Sequence, residues 1–294
     1  MLENVDLRET FTELVRRAST ELPSEVVDAI REGRAKEEEG SLAQKALDTI
    51  LDNIELAGES SAPLCQDTGT PVVWIKYPVG VSTRKLEEDF TEAVRRATEL
   101  KYLRPNAVDT LTGRNTGNGT GRAIPFIHFE EWDGPGLEVR MILKGGGSEN
   151  VGAQYKLPDS GLGAGRDLEG VRRVVLDAVV QAQGKGCAPG VLAVCIGGDR
   201  VSSFEHSKEQ LLRPLGDTNA DPELAELETR LLAEANELGI GPMGFGGKTT
   251  VLGVKIGVLD RLPACYFVTV TYMCWADRRA VVQIDEEGGL TWLS

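Results

Sequence analysis

Histidine is almost missing from this 294-residue chain, with only His128 and His206 present. A His-rich zinc site is therefore nearly excluded, and a Ser-His-Asp triad has little to draw on. No Cys-x-x-Cys pair occurs, so neither a zinc ribbon nor a thioredoxin-type site is expected. No apolar run approaches transmembrane length. The opening Met1-Leu2-Glu3-Asn4-Val5-Asp6 has neither the basic nor the apolar stretch of a signal peptide, so the expectation is a cytoplasmic protein with no membrane partner. Positive charge is scarce as well: 32 Lys and Arg stand against 46 Asp and Glu, a net charge of −14. Such a surface argues against nucleic acid and anionic membranes. An acidic small molecule would have to be met by a local group of Arg and Lys, since the overall field repels it.

What remains is an ordinary globular composition, 41% apolar, in a chain long enough to bury a core without staples. There is no internal repeat and no low-complexity linker. Residues 8–58 read as helical, with Leu47, Ile50, Leu51 and Ile54 at helical spacing and Gly58 as a stop. A strand is expected over Val72 to Tyr77, a helix over 83–101 and a polar loop over 104–121. A further strand is expected from Leu137 to Leu143. Next come a helix over 167–182, a buried strand from Val191 to Ile196, and a helix over 222–238 opened by Asp221 and Pro222. Strands near Thr249–Gly257, Tyr266–Met273 and Val281–Ile284 complete the pattern, the last leading into a short hairpin. The fold class is mixed α and β (α+β), with helices packed around one or two mixed sheets.

Five cysteines is an odd number, and they are widely spread, unlike a secreted disulfide framework. Cys195, inside Val191-Leu192-Ala193-Val194-Cys195-Ile196, and Cys265, before Tyr266-Phe267, read as core thiols. Cys65, Cys187 and Cys274 differ, because each sits at an element boundary beside polar or glycine-rich backbone. Composition alone does not separate metal binding from burial for these three, since burial is the common fate of a free cysteine.

Four segments narrow the choice. They are Pro63-Leu64-Cys65-Gln66-Asp67-Thr68-Gly69, Lys144-Gly145-Gly146-Gly147-Ser148-Glu149-Asn150, Gly244-Phe245-Gly246-Gly247-Lys248 and Cys274-Trp275-Ala276-Asp277-Arg278-Arg279. In this order they resemble the signature segments of the class I fumarases and tartrate dehydratases. The resemblance spans nearly the whole chain and corresponds to that family's N-terminal, cluster-binding half. It implies one such domain over residues 1–294, the α subunit of the two-subunit form.

The resemblance further implies a [4Fe-4S] cluster on Cys65, Cys187 and Cys274. Four thiolates saturate a cluster for electron transfer, whereas three leave one iron open to act as a Lewis acid. Gln66, Asp67, Arg104 and Gly146 are then expected to meet a small dicarboxylate, with Asp67 as proton donor. Arg104 suits a carboxylate through its planar fork, and the glycine run suits backbone amides facing an anion. Each has a plainer reading: an Asx turn for Asp67, a solvated surface side chain for Arg104, a turn for the glycines. The family draws its catalytic base, a threonine, and further Arg and Lys contacts from the other half. A β subunit is therefore expected, in an αβ pair or a dimer of such pairs. Hydration of fumarate to malate is the first expectation, with tartrate dehydration and mesaconate hydration as close relatives.

Three readings of other classes compete, one of them an interaction protein whose cysteines all lie in the core. A cluster-bearing redox module without catalysis explains the cysteines but not Gln66, Asp67 and Arg104. A P-loop is suggested by Gly247-Lys248-Thr249, but Pro242 stands where the pattern needs glycine, and a strand rather than a helix is expected next.

Overall fold

The computed structural model describes residues 5–293; Met1-Leu2-Glu3-Asn4, read above as no leader, and Ser294 lie outside them. In chain order the helices are α1 (Arg8–Thr20), α2 (Ser24–Lys36), α3 (Leu42–Ser60), α4 (Thr83–Glu99), α5 (Gly146–Asn150), α6 (Leu168–Ala182), α7 (Arg200–Gln210) and α8 (Pro222–Glu237). The strands are β1 (Thr70–Tyr77), β2 (Phe126–Glu131), β3 (Leu137–Lys144), β4 (Ala153–Lys156), β5 (Gly190–Gly197), β6 (Val251–Leu259), β7 (Phe267–Met273), β8 (Arg279–Ile284) and β9 (Leu290–Trp292). Short 3₁₀ turns occupy Gln183–Gly186 and Pro242–Gly244. Two mixed sheets with surrounding helices make this an α+β protein, as the sequence pattern implied.

The chain divides into two compact units. The first holds the segment up to Pro23, Asn53–Gly146, and everything from Arg278 onward; the second holds Ser24–Asp52 and Gly147–Asp277. The first unit is built on the sheet β2-β1-β3-β8-β9. β1 runs parallel to β2 and antiparallel to β3, with Val73 opposite Met141. α1 and α4 cover it, and Phe11, Leu14, Phe90 and Val94 meet Val73, Ile75 and Met141 in one apolar core. Ser82 caps α4 by accepting the Lys85 N–H. β8 and β9 form the expected closing hairpin, with Val282 opposite Trp292.

The second unit is built on the sheet β4-β7-β5-β6. All eight residues of β5 are buried, as the unbroken apolar run required of a central strand. α6 and α8 bury Val174, Val175, Val179 and Leu231 against Leu192, Val194 and Ile256. Asp221 caps α8 through the Glu223 and Leu224 amides with Pro222 in the first turn, as expected.

Several elements depart from the sequence reading. The tract 8–58 is three helices, not one, because Pro23 and the left-handed Gly40 interrupt it. β2 and β4 were not expected; both lie at sheet edges, where alternation is weak. α7 was missed for a clear reason. The face it buries is polar: Ser203 and Ser207 hydroxyls pair with Thr269 and Thr271 hydroxyls on β7, each at 2.6 Å. Apolar periodicity cannot signal such a helix. Of the glycines Gly145–Gly147, expected as backbone open to a close approach, Gly146 and Gly147 begin the short helix α5.

Candidate functional site

In the first unit, the loop between α3 and β1 carries Cys65, Gln66 and Asp67, all three exposed. Leu64 is buried beside them; its N–H donates to the Ser19 carbonyl and its own carbonyl accepts from the Asn53 side chain. The loop is thus pinned by its backbone while the three polar side chains face outward. Asp67 makes the Asx turn that the plainer reading foresaw, Oδ1 accepting the Gly69 N–H at 3.2 Å. That bond does not consume Oδ2.

Thr68 ties Arg104 to this loop. Its buried Oγ1 accepts the Arg104 backbone N–H at 2.9 Å and the Asn106 side-chain amide at 3.2 Å, and Asn106 also reaches the Gly69 carbonyl. The structure therefore brings Arg104, 36 residues along the chain from Thr68, beside the Gln66-Asp67 loop with its guanidinium exposed. Neither Thr68 nor Asn106 was singled out in the sequence reading; a Thr directly after Gln66-Asp67 and an Asn two residues after Arg104 were the available signals. Lys144 and Arg278 are both buried in this unit. Gly145 lies so close to Asp67 that a Cβ there would fall 2.9 Å from its Oδ2. The next glycine, Gly146, is exposed at the first residue of α5.

In the second unit, Cys187 follows the 3₁₀ turn after α6 and is exposed. Its backbone is left-handed, φ 58° and ψ 62°, a conformation that costs a non-glycine residue about 1 kcal/mol or more and is held where surrounding contacts enforce it. One such contact is the Trp275 N–H, which donates to the Cys187 carbonyl at 3.1 Å. The segments of Cys187 and Cys274 thus lie side by side, and Trp275 itself is buried. Tyr272 lies beneath both: burial, together with Cys274 and Cys187, pushes its hydroxyl well above the ordinary tyrosine range. Its ring presses on Gly186, where a Cβ would fall 2.6 Å from it, and on Gly190, where a Cβ would overlap it. The glycine-rich segment backs onto the same place, the Met243 N–H donating to the Ala188 carbonyl. Glu37 accepts the Lys248 and Thr249 amides at the far end of that segment. The strand β6 follows it, so the P-loop reading fails in structure as in pattern.

The remaining cysteines behave differently from each other. Cys195 is buried in β5, and burial pushes its thiol up to about 11. Cys265, expected in the core, is only partly buried, because it ends the exposed loop 261–264 before β7, where the Arg261 guanidinium donates to its carbonyl. Among the described residues no three His, Cys, Asp or Glu side chains are grouped as ligands of a single metal ion. No helix among them is long and apolar enough to cross a membrane.

The first unit thus presents an outward Gln66-Asp67 loop fixed beside Arg104, and the second presents Cys187 and Cys274 on adjoining segments. The chain matches the family model for fumarate hydratase (fumerase) over residues 8–283, and it belongs to that family. It is 47% identical over 292 residues to a protein of Geobacillus stearothermophilus named "Putative fumarate hydratase class I", covering 98% of this chain and 57% of that one. It is 37% identical over 290 residues to a Methanocaldococcus jannaschii protein named "Putative L(+)-tartrate dehydratase subunit alpha", covering 97% and 99%. It is 31% identical over 287 residues to an Escherichia coli protein named "L(+)-tartrate dehydratase subunit alpha", covering 96% and 91%. The chain thus spans little more than half of the first relative and nearly all of the second.

Proposed function

We propose that this chain is the cluster-binding part of a hydro-lyase that adds water to, or removes it from, a small dicarboxylic acid, with fumarate and malate as the first pair. The observation that carries the reading is the fixed loop Cys65-Gln66-Asp67, exposed side by side with Arg104, in a chain of the fumarate hydratase family.

Cys65, Cys187 and Cys274 would hold a [4Fe-4S] cluster. Their chemistry suits it: two are exposed and one half-buried at element ends, whereas Cys195 is sealed in a strand with its thiol held protonated. The strained backbone of Cys187 is of the kind found where a side chain is aimed for use. When bound, a three-thiolate cluster supplies one open Lewis-acidic iron for the substrate hydroxyl and carboxylate.

The chain's own residues take the rest. The Arg104 guanidinium pairs with a substrate carboxylate through two parallel N–H donors. The Gln66 amide donates to a carboxylate oxygen, and the Gly146 backbone offers an N–H at the start of α5. Asp67 moves the proton through Oδ2, since Oδ1 is engaged by Gly69. In dehydration it protonates the departing hydroxyl, which leaves as water; in hydration it takes a proton from the attacking water. The carbon-bound proton goes to a base on a partner subunit, in keeping with the relatives named subunit alpha. The assembly is then a hetero-oligomer working in a reduced, cytoplasmic compartment. Tartrate dehydration is the second reading, favoured by the near-complete coverage of the relative carrying that name.

The test is to prepare the chain alone and with its β-type partner, load iron and sulfide anaerobically, verify iron content, and assay fumarate, malate, tartrate and mesaconate. Turnover of one of these by the pair and not by the single chain is expected. Full activity of the single chain would overturn the partner, and an iron-free, colourless pair would overturn the cluster.

A further inference from the structure

We infer that Arg278 is a positioning residue, whose buried guanidinium fixes the Asp67 backbone and so the direction in which the Asp67 carboxylate and the Gln66 amide meet substrate. What is positioned rests on the proposed function; the contact itself does not.

Arg278 is 1% exposed and among the largest fully buried side chains of the molecule. Burying a guanidinium is costly unless its donors are met. Here Nη1 donates to the Asp67 carbonyl at 2.6 Å, while Nε has no partner among the described residues. A residue needed only to fill this space would be apolar. The fold instead carries an incompletely satisfied cation under the Cys65–Gly69 loop and aims its strongest bond at one backbone carbonyl. Arg278 is itself held in place, because its carbonyl accepts the Leu143 N–H at 3.0 Å where β3 meets β8.

The same spot is closed from a second side. A Cβ on Gly145 would fall 2.9 Å from Asp67 Oδ2 and 3.4 Å from Arg278 Nη2, so a side chain there would displace the Asp67 carboxylate. Asp67 is therefore held at two points, its carbonyl by Arg278 and Oδ1 by the Gly69 amide, with Oδ2 left free on the side of Gly145. This is the arrangement expected of a group that must deliver a proton along one line, where small misplacements are costly. Arg279, the next residue, is instead part of the strand ladder, opposite Ile142.

The experiment compares Arg278→Met, which keeps the buried stem without a donor, with Arg278→Lys, which keeps one. Hydrogen exchange of residues 66–69 is followed by mass spectrometry in the cluster-free chain. Arg278→Met should speed that exchange about tenfold or more while β1 and β3 keep their protection, and Arg278→Lys should restore part of it. In the cluster-loaded pair, kcat should fall about 10- to 100-fold with KM nearly unchanged and iron content intact. Unchanged exchange at 66–69, or protection lost evenly across the first unit, overturns the inference. If Arg278→Met does not fold, Gly145→Ala presses on Asp67 from the opposite side; undiminished kcat in that variant overturns it as well. A wild-type pair inactive on every dicarboxylate, yet with the local exchange response, would remove the functional reading and leave the contact standing.

Discussion

Replacing Arg104 by lysine and Thr68 by valine separates the charge proposed to meet substrate from the anchor that carries it. The Arg104 side chain is exposed, and its structural tie is the backbone N–H on Thr68 Oγ1. Arg104→Lys should therefore alter folding stability by no more than about 0.5 kcal/mol. It exchanges a two-donor fork for a single ammonium, a loss of about 1.5–3 kcal/mol of charge-assisted bonding. That corresponds to a fall in kcat/KM of roughly 10- to 150-fold. Thr68→Val does the reverse. Valine keeps the shape of a side chain only 2% exposed but removes the acceptor shared by the Arg104 N–H and the Asn106 amide. Asn106 retains the Gly69 carbonyl, so one donor is stranded more than the other. The stability cost should be about 1–3 kcal/mol, or about 2–4 °C of Tm for each kcal/mol in a chain of this size. The Arg104 segment is released with it, and KM should rise. The assays are thermal unfolding of the chain and steady-state kinetics of the loaded pair on fumarate and malate. Wild-type kinetics in Arg104→Lys would refute the substrate role, and a Tm loss of several degrees in that variant would show the guanidinium to be structural.

Three further outcomes are expected. Serine at Cys65, Cys187 or Cys274 should abolish iron binding in the reconstituted chain, whereas Cys195→Ala should leave iron content unchanged; a full cluster in Cys274→Ser would rule out the ligand set. Cys195 also makes a pH prediction: its folded pKa, raised by burial from 9.0 to about 11, means the folded state holds this proton more tightly than the unfolded one. The associated stability is complete below pH 9 and is lost as pH rises through about 11, up to about 3 kcal/mol, so urea unfolding at pH 8 and pH 11 should show a smaller alkaline loss in Cys195→Ala than in wild type. Gly190→Ala should cost about 1–3 kcal/mol by overpacking against the Tyr272 ring and should lower iron retention, and a variant as stable as wild type in thermal unfolding would show that the ring can move aside.

Much of this protein is written locally. The unbroken apolar run of β5, the Asp221-Pro222 start of α8, the helix Thr83–Glu99 and the closing hairpin follow from side-chain periodicity and capping chemistry, which act over a few residues. The family was legible because four short segments stand in its order along the chain. What sequence could not show depends on partners far along the chain. α7 is helical behind a polar face because β7 supplies matching hydroxyls. Thr68 becomes an anchor only when Arg104 and Asn106 arrive, and Arg278, in sequence one of two like neighbours, is set apart from Arg279 only by the carbonyl it reaches on Asp67. Hydrogen bonds between segments distant in sequence leave no periodic trace, so their placement is decided by the tertiary structure alone.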